Sequence, residues 1–187
     1  MKRVVLVTAL ALLTVILAGA QNVNDFRTIA NGNWSTTANW ERFDGNSWVA
    51  ATYYPGDGET NQVNVDSTLT LDVSVTIPTL TISGTLNGSG NNTLTTTGDL
   101  TCIGSLNWTN NAGGAITVGG NLLISGSFGI NNQDLTVAGA TTLSGSGTFT
   151  DGSNIFNAKY PLEARVVVVL LPMGVISEPT CFQERLR

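Results

Sequence analysis

The sequence contains no histidine and few charged residues, which make up 11% of its 187 positions. Histidine is the commonest general base near neutral pH and the commonest transition-metal ligand, so its absence argues against a catalytic triad or a zinc hydrolase centre. The charged fraction is less than half of the roughly 25% usual in globular proteins. We therefore predict no catalytic residue, no metal ligand and no cofactor in this chain.

Basic residues are missing from a long central stretch. No lysine or arginine occurs between Phe43 and Ala158, and residues 21–154 carry Arg27 and Arg42 against ten carboxylates. An acidic surface of this kind repels phosphate backbones and anionic lipid head groups. We expect no nucleic-acid partner and no attachment to a membrane surface.

Cysteine is scarce as well, with Cys102 and Cys181 as the two examples. Two cysteines do not form the disulfide framework of a small secreted domain. Cys102 also occupies an apolar position of the repeat described below. We predict that it is a small buried hydrophobic side chain.

The first twenty residues have the pattern of a secretory signal peptide. Lys2 and Arg3 precede an apolar stretch at 4–17, and small residues at 18–20 precede Gln21. The apolar stretch is shorter than the ~20 residues that span a bilayer. We predict cleavage between Ala20 and Gln21, a secreted or cell-surface location, and no membrane insertion of the mature chain.

A repeat of about twenty residues organises the middle of the chain. Its units align on four glycines, Gly84, Gly104, Gly126 and Gly145, which are separated by 20, 22 and 19 residues. In the first three units apolar residues alternate with mostly Thr, Ser or Asn ahead of and behind the glycine, as in Leu80, Ile82 and Leu86, whereas the last unit keeps only Leu143 of these three positions. This period of two predicts strands with one buried face.

Equivalent apolar and glycine positions in successive units favour a coil in which identical positions stack. An antiparallel sandwich does not require such alignment, and a propeller blade needs a period nearer forty. We predict an all-β fold, a right-handed parallel β-helix of about four turns. The predicted divisions are a signal peptide (1–20), an N-terminal cap region (21–66), β-helix repeats (67–154) and a discordant tail (155–187).

Three functional alternatives rest on polar residues near the start of the coil and within the repeats. Asp57, Glu59 and Asp66 could form a loose calcium site, and Asp99 with a neighbour on the next turn could form a two-carboxylate glycan hydrolase. However, the repeat aligns Asp99 with Asn121, which indicates a turn position. A threonine column at Thr95 resembles one row of an ice-binding face, but such a face needs two rows.

The region before the repeats contains Trp34, Trp40 and Trp48. The first turn of a solenoid exposes an apolar end and an unpaired strand edge, and large aromatic side chains are suited to covering both. We therefore predict an N-terminal aromatic cap. The alternative is that these three tryptophans stack on sugar rings.

Several segments together resemble the start of large secreted β-helix proteins of Bacteroidetes. They are residues 30–40 (ANGNWSTTANW), a Pro55–Gly56 turn leading to Asp57, the V-x-V of 63–65 and the L-x-I-x-G-x-L of 80–86. The resemblance covers about residues 26–150 and is weaker to autotransporter and adhesin passengers. It implies an exported β-helix module sent across the outer membrane by the type IX system. Such proteins usually continue for hundreds of residues and end in a sorting domain.

Residues 155–187 differ in composition from the repeats. They contain seven charges and the apolar run of 166–171, without Gly-Ser turns. Three interpretations stay open: a shifted frame or truncated product, a strand that caps the last turn, or a small interaction tail.

From these features we predict a structural or adhesin-like β-solenoid module of the bacterial surface or extracellular space, without catalysis. Its partners would be extracellular glycans or surface proteins. The alternative is a carbohydrate-binding module, or the non-catalytic stem of a polysaccharide-active enzyme.

Overall fold

The computed structural model describes residues 21–108, 114–131, 133–151, 154–157 and 166–167, the last two ranges by their backbone alone. The predicted signal peptide with Ala20, and most of the predicted tail with Cys181, lie outside the described residues. In the described ranges the chain is all-β, as predicted, with one 3-10 turn at Thr37–Asn39 and no α-helix.

Short strands follow one another along the described chain. In order they are β1 (Phe26–Thr28), β2 (Gly32–Asn33), β3 (Trp40–Phe43), β4 (Trp48–Ala50), β5 (Gln62–Val65), β6 (Thr68–Leu71), β7 (Val75–Ile77), β8 (Thr79–Ile82), β9 (Thr85–Gly88), β10 (Thr93–Thr96), β11 (Leu100–Cys102), β12 (Ser105–Asn107), β13 (Ala115–Val118), β14 (Leu122–Ile124), β15 (Ser127–Gly129), β16 (Asp134–Val137), β17 (Thr141–Leu143), β18 (Thr148–Asp151), β19 (Asn154–Asn157) and β20 (Val166–Val167).

The strands form three sheets, and consecutive strands of the coil belong to different sheets. Sheet A has the order β20-β17-β14-β11-β8-β5-β1-β3-β4, sheet B the order β19-β18-β15-β12-β9-β6-β2, and sheet C the order β16-β13-β10-β7. Four complete turns result, from β5–β7 to β14–β16, with β1–β2 before them and β17–β18 after them. The predicted parallel β-helix of about four turns is confirmed.

The predicted alignment of the apolar positions is confirmed by the pairing of the strands. Leu100 pairs with Leu80 on one side and with Leu122 on the other, and all three are buried. Leu106 lies between Leu86 and Phe128 in the same way on sheet B. Burial of each such side chain contributes about 1.5–3 kcal/mol, so the interior ladders are the main source of stability.

Glycines occupy the corner between sheets A and B because backbone atoms of the preceding turn lie there. A Cβ placed on Gly104 would sit 2.1 Å from the carbonyl oxygen of Gly84, and one on Gly126 would sit 2.0 Å from that of Gly104. In the last turn the residue in this position is Gly147, because its neighbour Thr148 pairs with Ser127. The predicted alignment on Gly145 is therefore correct for the residues of β17. It is wrong for the corner between sheets A and B, where Gly147 takes the place of Gly145.

Gly88 lies at the end of β9 and is buried. A Cβ on Gly88 would lie 2.2 Å from the Trp108 indole. The missing side chain makes room for this fully buried ring.

Antiparallel strands cover part of each end of the solenoid. β3 pairs with β1, and β4 pairs with β3, at the N-terminal end of sheet A. At the other end β20 pairs with β17 and β19 with β18, so two short segments at or beyond residue 154 add to the last turn. The parallel coil begins earlier than residue 67, since β1 and β2 already pair with β5 and β6.

Candidate functional site

The N-terminal end is closed by an aromatic cap of four side chains, Phe26, Trp34, Trp40 and Tyr53. The Trp34 and Trp40 rings meet edge to face with centroids 4.9 Å apart, and Phe26 contacts both Trp40 and Tyr53. Both indoles are 0% exposed and belong to the core. Edge-to-face pairs of this kind add about 0.5–1.5 kcal/mol to the burial of their area.

The polar edges of these two indoles are satisfied inside the cap. Trp34 Nε1 donates to the Pro55 carbonyl oxygen at 2.9 Å, and Trp40 Nε1 donates to the Trp34 carbonyl oxygen at 2.8 Å. Neither ring has a face open to solvent, so neither can stack on a sugar in this structure. Of the three tryptophans in the glycan-stacking hypothesis, Trp48 is therefore the one that stays a candidate.

Trp48 lies in a different environment, at the start of β4 on the edge of sheet A, and is partly exposed. It pairs with Phe43 of β3, and their ring centroids are 5.5 Å apart. The Arg27 guanidinium lies over the indole, 4.4 Å from the ring centroid. A cation placed in this way is attracted by about 0.5–1 kcal/mol at an exposed site.

Arg27 is fixed in this position by Glu41, its cross-strand neighbour. Its Nε and Nη2 atoms donate to Glu41 Oε2 at 2.9 and 2.7 Å. The two side chains are 42% and 25% exposed, so the ion pair contributes little to stability but orients both groups. Arg27, Glu41, Phe43 and Trp48 form what we call the sheet A cluster.

A polar network behind the cap anchors the N-terminal segment. Asn24, which has a left-handed backbone conformation, accepts from Arg42 Nη1 at 2.7 Å and donates to Glu59 at 3.0 Å. Asn61 donates to Asp25 at 2.6 Å. These contacts join residues 22–25 to the segment 53–61 that passes over the first turn.

The structure does not assemble the calcium site suggested by Asp57, Glu59 and Asp66. Glu59 bonds to Asn24, and Asp66 accepts from Ser83 on the next turn. Across the described ranges, no group of three or more His, Cys, Asp or Glu side chains is placed to hold a metal ion.

Asp99 lies in the turn before β11, as the repeat alignment predicts. Its Oδ1 atom accepts from the backbone N–H of Asn121 on the next turn at 2.7 Å, and Asn121 Oδ1 accepts from the N–H of Ala140 at 3.0 Å. On the next turn, the residue in the position of Asp99 is therefore Asn121, whose side-chain amide makes the same hydrogen bond to the turn after it. The pair of carboxylates that a hydrolase needs is not formed here.

Threonine forms one in-register column on the outer face of sheet C. Thr95 pairs with Thr117 and Thr117 with Thr136, as aligned from the sequence, and Thr76 extends the column by one turn. The position two residues after Thr95 is Thr97, but its aligned neighbours in the next turns are Gly119 and Ala138. The second column of an ice-binding face is absent at that position.

Cys102 is a buried free cysteine, as predicted. Its sulfur lies 3.4 Å from the Ser127 carbonyl oxygen, and burial raises the pKa of the thiol to about 11. A thiol with a raised pKa is a poor nucleophile at neutral pH, which fits a packing role.

Comparison with protein-family models, curated proteins and solved structures gave no match. None of the described segments forms a helix that could traverse a lipid bilayer. Sequence reasoning named Trp48 but missed Arg27, Glu41 and Phe43; the signal available was that Arg27 is one of two basic residues between 21 and 154.

Proposed function

We propose that this chain is an exported, adhesin-like structural module, a stiff β-solenoid of the bacterial surface or extracellular space without catalysis of its own. The observation that carries the proposal is the continuous ladder of parallel strands along three sheets. Each turn in such an array is held by its neighbours, so the array resists bending and keeps its ends apart.

The dimensions and the surface support a spacer role. Nine strands of sheet A at about 4.8 Å each extend over roughly 40 Å. The outer column of sheet B is uncharged, with Thr68, Thr85, Ser105, Ser127 and Thr148 in register. A neutral polar face stays hydrated and offers many weak hydrogen bonds to surface proteins or glycans.

Export and surface location are proposed from the sequence of residues 1–21 and from the resemblance to secreted Bacteroidetes β-helix proteins. The test is to express the full chain in a Bacteroidetes host and to measure the mass of the mature N-terminus in each cell fraction. We expect a chain beginning at Gln21 in the medium or at the surface. The Ala20→Leu variant, which blocks the small-residue site, should keep residues 1–20. A wild-type chain that retains Met1 in the cytoplasm would contradict the proposal.

A second candidate is carbohydrate binding, either as a module of its own or as the stem of a polysaccharide-active enzyme. It is favoured by the sheet A cluster, which joins an aromatic surface to a fixed guanidinium and carboxylate. The test is depletion of the protein from solution by insoluble cellulose and chitin. Wild type should be depleted and Trp48→Ala should remain in solution; equal behaviour of the two would remove this candidate.

A further inference from the structure

We infer that the outer face of sheet A carries a linear track for a neutral, extended polysaccharide chain. The track begins at Trp48 and Arg27 and continues over Asn64, Thr81 and Thr101, along the axis of the solenoid. This inference rests on the carbohydrate-binding candidate above and adds the direction, length and charge of the ligand.

The direction follows from the register of four parallel strands. Arg27 pairs with Asn64, Asn64 with Thr81, and Thr81 with Thr101. All four side chains are partly exposed. At about 4.8 Å per strand they cover roughly 14 Å, which is longer than one sugar ring. A ligand seated on Trp48 therefore meets the column only if it continues as a chain across the strands.

The side chains along the track have the chemistry that a neutral glycan uses. The exposed part of the Trp48 indole that Arg27 does not cover offers apolar surface to the C–H groups of a sugar ring, and amides and hydroxyls both donate and accept hydrogen bonds. Asn64 is oriented by its neighbour, since Gln62 Nε2 donates to Asn64 Oδ1 at 3.2 Å. The Arg27–Glu41 pair offers a donor and an acceptor without a net charge.

The negative charges beside the track disfavour an acidic polysaccharide as its ligand. Asp66, in the turn after β5, and Asp99, in the turn before β11, are exposed and lie two residues along the chain from Asn64 and Thr101, one on each side of the column. The Arg27 guanidinium is already paired with Glu41. A uronic acid chain along the track would therefore meet uncompensated negative charge on both sides.

The other outer faces lack one part of this arrangement. The in-register outer columns of sheets B and C contain Ser, Thr, Asn and Gly, together with Ala115 and Asp134 on sheet C, and none of these outer positions in the described strands carries an aromatic ring. Sheet C still provides a matched control, because Thr95 is a partly exposed threonine in a parallel strand, as Thr81 is.

The experiment is calorimetric titration of the protein with neutral β-1,4-linked gluco-oligosaccharides of one to six units, and with an oligogalacturonate series of the same lengths. Affinity for the neutral series should rise with length and level off when the track is filled.

Thr81→Ala and Thr101→Ala should each lower the affinity for the hexamer about fivefold, the equivalent of one hydrogen bond, and leave the affinity for the shortest ligands unchanged. Trp48→Ala should weaken every length, and Thr95→Ala should bind as wild type. Urea midpoints of all four variants verify that they fold.

The outcomes separate the two proposals. If Trp48→Ala loses binding but affinity does not depend on length, or the threonine variants bind as wild type, the track is wrong and the carbohydrate-binding candidate survives. If galacturonates bind more tightly than the neutral series, the assignment of a neutral ligand is overturned. If the wild type binds no oligosaccharide of either series, the track is overturned and the structural module is unaffected, and depletion by chitin then decides the carbohydrate-binding candidate.

Discussion

Trp34 and Trp40 are six residues apart in sequence, and the second indole donates its N–H to the main chain of the first at 2.8 Å. Their rings meet edge to face and close the first turn of the coil. A solenoid exposes apolar side chains wherever its stack begins. This closure of the first turn explains why Trp34 and Trp40 are buried in the core, whereas Trp48 is partly exposed on the surface.

We predict that Trp40→Ala destabilises the protein by about 3–5 kcal/mol, the usual cost of truncating a buried aromatic side chain. Trp48→Ala is the matched control, since it removes the same side chain from a partly exposed site and should cost about 1 kcal/mol. Urea unfolding followed by circular dichroism measures both. Equal midpoints for the two variants would show that the cap is not part of the cooperative core.

Gly104→Ala tests the close approach at the corner of the coil. The added methyl group would lie 2.1 Å from the Gly84 carbonyl oxygen, so the two turns must move apart. We expect a loss of about 1–3 kcal/mol, typical of overpacking. The control is Gly129→Ala, whose Cβ would find its nearest contact at 3.7 Å and should leave the urea midpoint almost unchanged or raise it. A stable Gly104→Ala variant would contradict the corner geometry.

The interior ladder was predictable because alternation is a local property that repeats. Leu80, Leu100 and Leu122 could be aligned from their neighbours alone, and the strands pair as aligned. The difference between Trp34 and Trp48 could not be predicted in this way. It depends on how the segment around Pro55 and Gly56 packs against β7, a contact between parts of the chain that do not resemble each other.

Two other differences have the same origin. β1 and β2 join the parallel coil although their residues carry no recognisable repeat, so the composition of 21–66 concealed the start of the solenoid. At the last corner, the chain makes an additional turn at Gly145, which has a positive φ of 61°, and this shifts the corner position to Gly147. Alignment on the glycine alone selects the wrong residue there.

The buried thiol gives a prediction about pH. The pKa of Cys102 rises from its ordinary value of 9.0 to about 11 because burial disfavours the thiolate. As the pH rises from 9 to 11, the unfolded chain loses the thiol proton and the folded chain keeps it, so folding stability falls by up to about 1.4 kcal/mol per pH unit. Below pH 9 the thiol contributes no pH dependence.

The measurement is the urea midpoint between pH 8 and pH 11, compared with Cys102→Ala. Subtracting the variant removes the contribution of other groups that titrate in this range. The wild type should lose stability more steeply than the variant above pH 9. Parallel curves would show that Cys102 is accessible to water in the folded state.

The hydrogen bond between Asp99 and Asn121 allows two contributions of Asp99 to stability to be measured separately, its hydrogen bonding and its negative charge. Asp99 Oδ1 accepts the Asn121 backbone N–H at 2.7 Å, although both residues are exposed. Asp99→Ala removes the acceptor and should cost about 0.5–1.5 kcal/mol, with faster hydrogen exchange at the Asn121 amide. Asp99→Asn keeps an oxygen at the same position, as Asn121 itself does toward Ala140. If the inter-turn hydrogen bond is what matters, Asp99→Asn should be close to wild type in both measurements; an asparagine variant as unstable as the alanine variant would assign the effect to the negative charge instead.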